Sequence, residues 1–353
     1  MYIQKAITLA TALIATDAFA AAPPDIKQAR VIQQVNNIED LVQINGDWII
    51  GSSQSAGEKP GGLWLFNVTN GKPRRIVPEH ITVKPDTRAF PHCPGAPNLA
   101  TLSPERMDYY REGRRLYVVN HNARESVEVF SVSADKNGRP ALSWQGCVIG
   151  PENVHFSSVV GLSDNRMLIS SPWNDDDPWR TRKLEAGQPS GALYTWSSQK
   201  GLNKMPGSEQ LSGPSGITTS PNEKNVWVAA WAGQYIARIT NGGSQPQILK
   251  IPLDFHPDNL SWSPDGRQLY AGGQSASGNT LMNCVMGRKK SCNDINQEAV
   301  RVDPQTLKPT TLIPATHFNG IRASTGIIQT GNHYWLSGFR NNGVAIAPAQ
   351  ARQ

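Results

Sequence analysis

The chain has 353 residues, with 34 Lys and Arg against 28 Asp and Glu, a formal charge of +6, and 38% hydrophobic residues. That length allows one long domain or two short ones, and 31 Gly with 26 Pro spread throughout exclude collagen, coiled coil and low-complexity disorder. No basic block exceeds Arg288-Lys289-Lys290, which sets nucleic-acid binding aside.

The first predicted element is an export signal. Lys5 supplies a positive start, Ala6 to Ala15 an apolar run, and Ala18-Phe19-Ala20 a small-x-small cleavage site before Pro23-Pro24. The apolar run is too short to span a bilayer, and nothing later resembles a membrane span. Residues 1–20 are therefore expected to be a signal peptide. Residues 21–353 are expected to form one exported domain, periplasmic or secreted.

A strand-like run, Ala29 to Val35, comes next, and then a pattern that recurs six times. Each copy has a polar start, a short apolar strand, a turn and a second apolar strand ending in small residues. The starts are Glu39, Asn98, Ser157, Ser215, Asp258 and Ser324. Their partners are Trp48-Ile49-Ile50, Leu116-Tyr117-Val118, Met167-Leu168-Ile169, Val226-Trp227-Val228, Leu269-Tyr270-Ala271 and Tyr334-Trp335-Leu336. Turns such as Ser263-Pro264-Asp265-Gly266 suit hairpins, and the spacing suits a four-stranded blade with variable loops. No long amphipathic helix interrupts them. The pattern predicts an all-β fold, a six-bladed β-propeller. Too few residues follow Ser324 for a full blade, so the Ala29–Val35 run is expected to complete the last blade and close the ring.

Between the third and fourth copies, Asp175-Asp176-Asp177 lacks the Gly and distal Glu of an EF-hand loop. We read this segment, through Pro189, as a mobile loop over the mouth. Four cysteines in an exported chain, with no CxxC, favour disulfides over metal ligation. The expected pairs are Cys284–Cys292, around a short polar loop, and Cys93–Cys147; free buried thiols are the alternative.

In a propeller the innermost strands line a central tunnel, so the six polar starts should form a ring at one mouth. Carboxylates, amides and hydroxyls converging there resemble a hard-cation site such as Ca²⁺ takes; otherwise they satisfy strand ends beside water. His121 ends a second strand where other copies end in Gly or Ser, and could act as a general base. His256 is a further candidate, while His92 and His155 read as structural. No GxSxG, HExxH, P-loop or Rossmann fingerprint is present.

Val118-Val119-Asn120-His121, followed by Ser126-Val127-Glu128-Val129-Phe130, resembles a segment of the paraoxonase/arylesterase lactonases. The Glu39-Asp40 and Asp258-Asn259 starts resemble calcium-binding pairs of the same group, which belongs with the gluconolactonase and strictosidine-synthase-like six-bladed propellers. The resemblance implies a Ca²⁺ site on Glu39, Asp258 and Asn259, weakened because Ser157 and Ser215 stand where the family has asparagines. It places a catalytic His121 beside Asn98, the latter replacing a family histidine. The reading at this stage is a Ca²⁺-assisted hydrolase of lactones or related esters, with the metal polarising the carbonyl and His121 activating water. The alternatives are a non-catalytic propeller binding a ligand or protein partner, and a metal-free lyase.

Overall fold

In a computed structural model, which describes residues 28–57, 59–240, 246–289, 292–317 and 321–349, the six repeats become six antiparallel sheets. Blade 1 runs Ile38–Gln43, Trp48–Ser53, Gly62–Asn67 and Pro73–Arg75. Blade 2 runs Pro104–Tyr110, Arg115–Asn120, Ser126–Ala134 and Pro140–Ile149, with Thr82–Val83 added in parallel outside. Blades 3, 4 and 5 begin with Ser158–Gly161, Pro214–Thr219 and His256–Trp262. Blade 6 runs Ser324–Thr330, His333–Gly338 and Val344–Pro348. The predicted signal peptide lies outside the described residues.

Each second strand carries an unbroken apolar run, such as Leu116–Val119, because each blade packs on both faces. Side chains alternate across a strand, so Leu116 and Val118 join the core shared with blade 1, and Tyr117 and Val119 the core shared with blade 3. Other cores fill the junctions between blades 3 and 4, 4 and 5, and 5 and 6. The junction of blades 6 and 1 holds Ile38, Phe66, Trp335 and Ile346, with Phe66 edge-on to Trp335 at 6.0 Å. Outside it, Arg30–Ile32 pairs antiparallel with Val344–Ile346 as the fourth strand of blade 6.

The start of nearly every inner strand carries a β-bulge. Register shifts fall between Ile38 and Asp40, Pro104 and Met107, Pro214 and Ile217, Pro257 and Asn259, and Ser324 and Gly326. The extra residue leaves the ladder and its side chain is re-aimed, here toward the axis. Glu39, Glu105, Arg106, Ser215, Asp258 and Thr325 are these released residues. Gly216 lets two inner strands approach, since a Cβ there would lie 2.3 Å from the Asp258 carbonyl oxygen.

Blade 2 corrects the predicted register. Asn98 does not begin an inner strand; it is exposed and caps the 3-10 turn Leu99–Thr101, accepting from the Ala100 N–H at 3.1 Å. The inner strand starts later, and its bulge delivers Glu105 and Arg106. In blade 6 the bulged residue is Thr325, not Ser324.

Both disulfides form as expected, Cys93–Cys147 and Cys284–Cys292. The Asp175–Pro189 segment carries a short helix, α1 (Arg180–Glu185), rather than an open loop. Its buried Leu184 packs with Leu281 and Met282 of a second helix, α2 (Gly278–Val285), and with Cys284 and Cys292. Among the described residues, no helix is long and apolar enough to cross a membrane.

Candidate functional site

Part of the expected ring comes together. Glu39, Ser157, Ser215 and Asp258 are buried and line one cavity, and Asn259 is buried beside Asp258, whereas Asn98 lies elsewhere. The cation among them, however, belongs to the chain. Arg106 donates from Nε to Asn259, from one terminal nitrogen to Glu105 and to the Ser157 hydroxyl, and from the other to Asp258. Asp258 also accepts from the Ser215 hydroxyl at 2.7 Å and from Gln274 Nε2 at 2.8 Å. Asn259 Nδ2 donates to the Glu39 carbonyl at 3.2 Å and to Asp40 at 3.3 Å. Residues of five blades are tied through one guanidinium and its partners.

Burial works against the Arg106 charge, but Asp258 and Glu105 hold its pKa above the ordinary value. Glu105 follows the same logic: burial would raise it, yet Arg106 and the His121 hydrogen bond bring it down to about 2. Among the described residues, Glu39 accepts no such bond on its carboxylate. Burial and then the Glu105 charge push it well above the carboxylate range, so it favours the neutral acid.

These residues do not fit the expected calcium. A Ca²⁺ ion needs six to eight oxygens, and here the oxygens of Asp258, Asn259 and Ser157 are spent on a buried guanidinium. Asp40, the second member of the Glu39-Asp40 start that resembles a calcium-binding pair, instead accepts from the N–H groups of Leu41 and Met107, each at 2.9 Å.

His121 is the second correction. Its Nδ1 lies 2.9 Å from Glu125 and its Nε2 2.5 Å from Glu105. Burial alone would lower its pKa, but the two carboxylates raise it to about 10. At neutral pH it is an imidazolium with both N–H groups engaged, which is the wrong state for a base. His155 takes the opposite character. It stacks between His121 and Trp173, with ring centroids 4.6 and 4.5 Å away. Burial, then the His121 charge, lowers its pKa, so it is a neutral imidazole at neutral pH. His155 lines the mouth cavity, of about 690 Å³, together with Arg106, Trp173 and Trp231. His256 is structural: its Nδ1 lies 2.8 Å from the Trp231 carbonyl oxygen. Glu105, His121 and His155 bring one ligand atom each to within 4.8 Å of one another. Two nitrogens and one carboxylate suit a d-block ion such as Zn²⁺ better than Ca²⁺.

Sequence reasoning missed Arg106, Glu105, Glu125 and the role of His155. One signal was available: the interval from Asn98 to the second strand at Leu116 is nearly twice that in the other copies. An inner strand at Pro104–Tyr110 restores the common spacing.

Comparison with solved structures places this architecture among six-bladed propellers. A candidate gluconolactonase aligns over 95% of this chain and 94% of its own, at 12% identity and TM-score 0.53. A luciferin-regenerating enzyme covers 91% and 94% at 9% identity and TM-score 0.53. Streptogramin B lyase covers 91% and 97% at 9% identity and TM-score 0.51. The family resemblance thus holds at the level of the fold. No family model and no curated protein matches the sequence.

Proposed function

We propose that the protein is an exported enzyme that hydrolyses lactones or related small esters in the mouth cavity, without calcium at the axis. The observation that carries this reading is a neutral, cavity-lining His155 in the same cavity as the buried Arg106 guanidinium. Gluconolactonase-type neighbours share the scaffold, though a lyase does too, and fold alone does not choose chemistry. The two disulfides support an oxidising compartment, periplasmic or extracellular, for residues 21–353 as one domain.

In the proposed reaction His155 is the general base. It takes a proton from water as the water oxygen bonds to the carbonyl carbon, and returns it to the leaving alkoxide when the acyl–oxygen bond breaks. Glu125, 4.0 Å from His155 Nδ1, and the stacked His121 and Trp173 rings position it. Arg106 supplies positive charge on the floor toward which the carbonyl oxygen is oriented. No step passes through a metal. Zn²⁺ held by Glu105, His121 and His155 would remove the base and is expected to inhibit.

The test is a hydrolysis screen of γ- and δ-lactones and phenyl acetate in EDTA. The expected result is turnover that rises with pH through a His155 pKa below 6.5 and reaches a plateau by neutrality. His155→Gln should lower kcat by about 100-fold or more while the melting temperature is kept. No turnover, or wild-type turnover in His155→Gln, overturns the proposal.

A further inference from the structure

The mouth cavity is lined by side chains of two kinds. Trp173, Met286 and Phe339 supply apolar and aromatic surface. Lys59 and Arg340 supply positive charge, and both bond to the dipeptide Asn36-Asn37. Lys59 Nζ donates to Asn36 Oδ1 at 3.2 Å, and the Arg340 N–H donates to Asn37 Oδ1. Both cations line the same cavity and are exposed. Among the described residues neither forms an ion pair; the Arg340 guanidinium donates at 3.4 Å to the Lys289 carbonyl.

The backbone adds a second observation. Arg340 and Asn37 adopt left-handed conformations, φ 51° and φ 50°. Asparagine tolerates that region, but a long side chain is rarely found there unless its surroundings fix it, and such residues gather at ligand sites. Among the described residues the carboxylates Asp258, Glu105 and Glu125 pair with Arg106 and His121, and no carboxylate lies within ion-pair distance of Lys59 or Arg340. The cavity therefore carries an excess of positive charge at its rim.

We infer that Lys59 and Arg340 form an anion-binding subsite, and that the preferred substrate is an ester or lactone with an apolar body and a carboxylate or similar anionic group. This rests on the hydrolytic reading of the same cavity. The apolar body lies on Trp173, Met286 and Phe339, the anion meets the two rim cations, and the acyl carbon faces His155. An unpaired lysine and arginine give a charge-assisted contact whose strength falls with salt.

Two probes of similar shape test the subsite: phenyl acetate, which is neutral, and 4-acetoxybenzoate, which carries a carboxylate. In the wild type the kcat/KM for 4-acetoxybenzoate should exceed that for phenyl acetate by about tenfold at low salt, one charge-assisted contact. In the double variant Lys59→Gln/Arg340→Gln the ratio should fall to about one, and added NaCl should erase it in the wild type. A ratio near one in the wild type, or unchanged in the double variant, overturns the inference while leaving hydrolysis intact. Should neither ester turn over, calorimetric titration with 4-hydroxybenzoate decides separately. Binding at least tenfold weaker in the double variant supports the subsite, whereas equal or undetectable binding in both overturns it.

Discussion

Removing the Arg106 guanidinium would leave Asp258 buried without a cation and Glu105 with His121 alone. Breaking a buried pair of this kind costs about 3–5 kcal/mol, far more than the pair itself contributes against an apolar replacement. Arg106→Met should therefore lower the unfolding free energy by about that amount in denaturant titration, with a larger deficit at pH 7 than at pH 4 as the carboxylates become protonated. A loss below about 1 kcal/mol would show that water already screens the network. His121 makes a prediction with the opposite pH sense. Its folded pKa is raised, to about 10, above an unfolded value of 6.5. Its stabilisation is complete below the unfolded value and is lost as pH rises through the folded one. The melting-temperature gap between wild type and His121→Gln should be wide at pH 6 and close near pH 10. A gap that persists into strong alkali would mean that His121 is held by packing and not by charge.

The bulges on the inner strands decide which residues reach the axis, and they set how far the site could be read in advance. Alternation of apolar and polar residues made the strands legible, and the starts Glu39, Ser157, Ser215 and Asp258, with Asn259 beside the last, are buried near the inner strands. A bulge has no fixed sequence signature, so Glu105-Arg106 inside Pro-Glu-Arg-Met-Asp-Tyr-Tyr resembled part of a loop. The states of His121 and His155 were illegible for a different reason. They depend on carboxylates brought from separate positions, Glu105 and Glu125, whose convergence only the folded blade creates. The cysteines were easier, because loop length and compartment constrain them. The Cys93–Cys147 bridge, spanning a sequence separation of 54, should contribute about 4 kcal/mol and the Cys284–Cys292 bridge, spanning 8, about 2.5 kcal/mol. Paired Cys→Ser variants measured by denaturant titration should keep that order. The reverse order would mean that α2 and the cavity wall it carries depend on the short bridge more than loop entropy requires.

A ring of blades is held at its weakest junction, and here that junction joins the two ends of the chain. Phe66 and Trp335 meet in the core between blades 6 and 1, and Arg30–Ile32 covers the edge of Val344–Ile346. Trp335→Ala should cost about 3–5 kcal/mol. A chain beginning at Asn36 should melt at lower temperature and aggregate through the uncovered edge. Equal stability of that shortened chain would mean that side-chain packing alone closes the ring. The same closed ring sets the geometry of the axis, where residues of five blades meet through one arginine and its partners. The account turns on that arginine being the axial cation in place of Ca²⁺. Titrating Ca²⁺ into chelator-treated wild-type protein while following its melting temperature tests this most directly. The account predicts no shift up to millimolar Ca²⁺, because the oxygens a calcium ion would need are already bound to Arg106; a saturable rise in melting temperature at micromolar Ca²⁺ would contradict it.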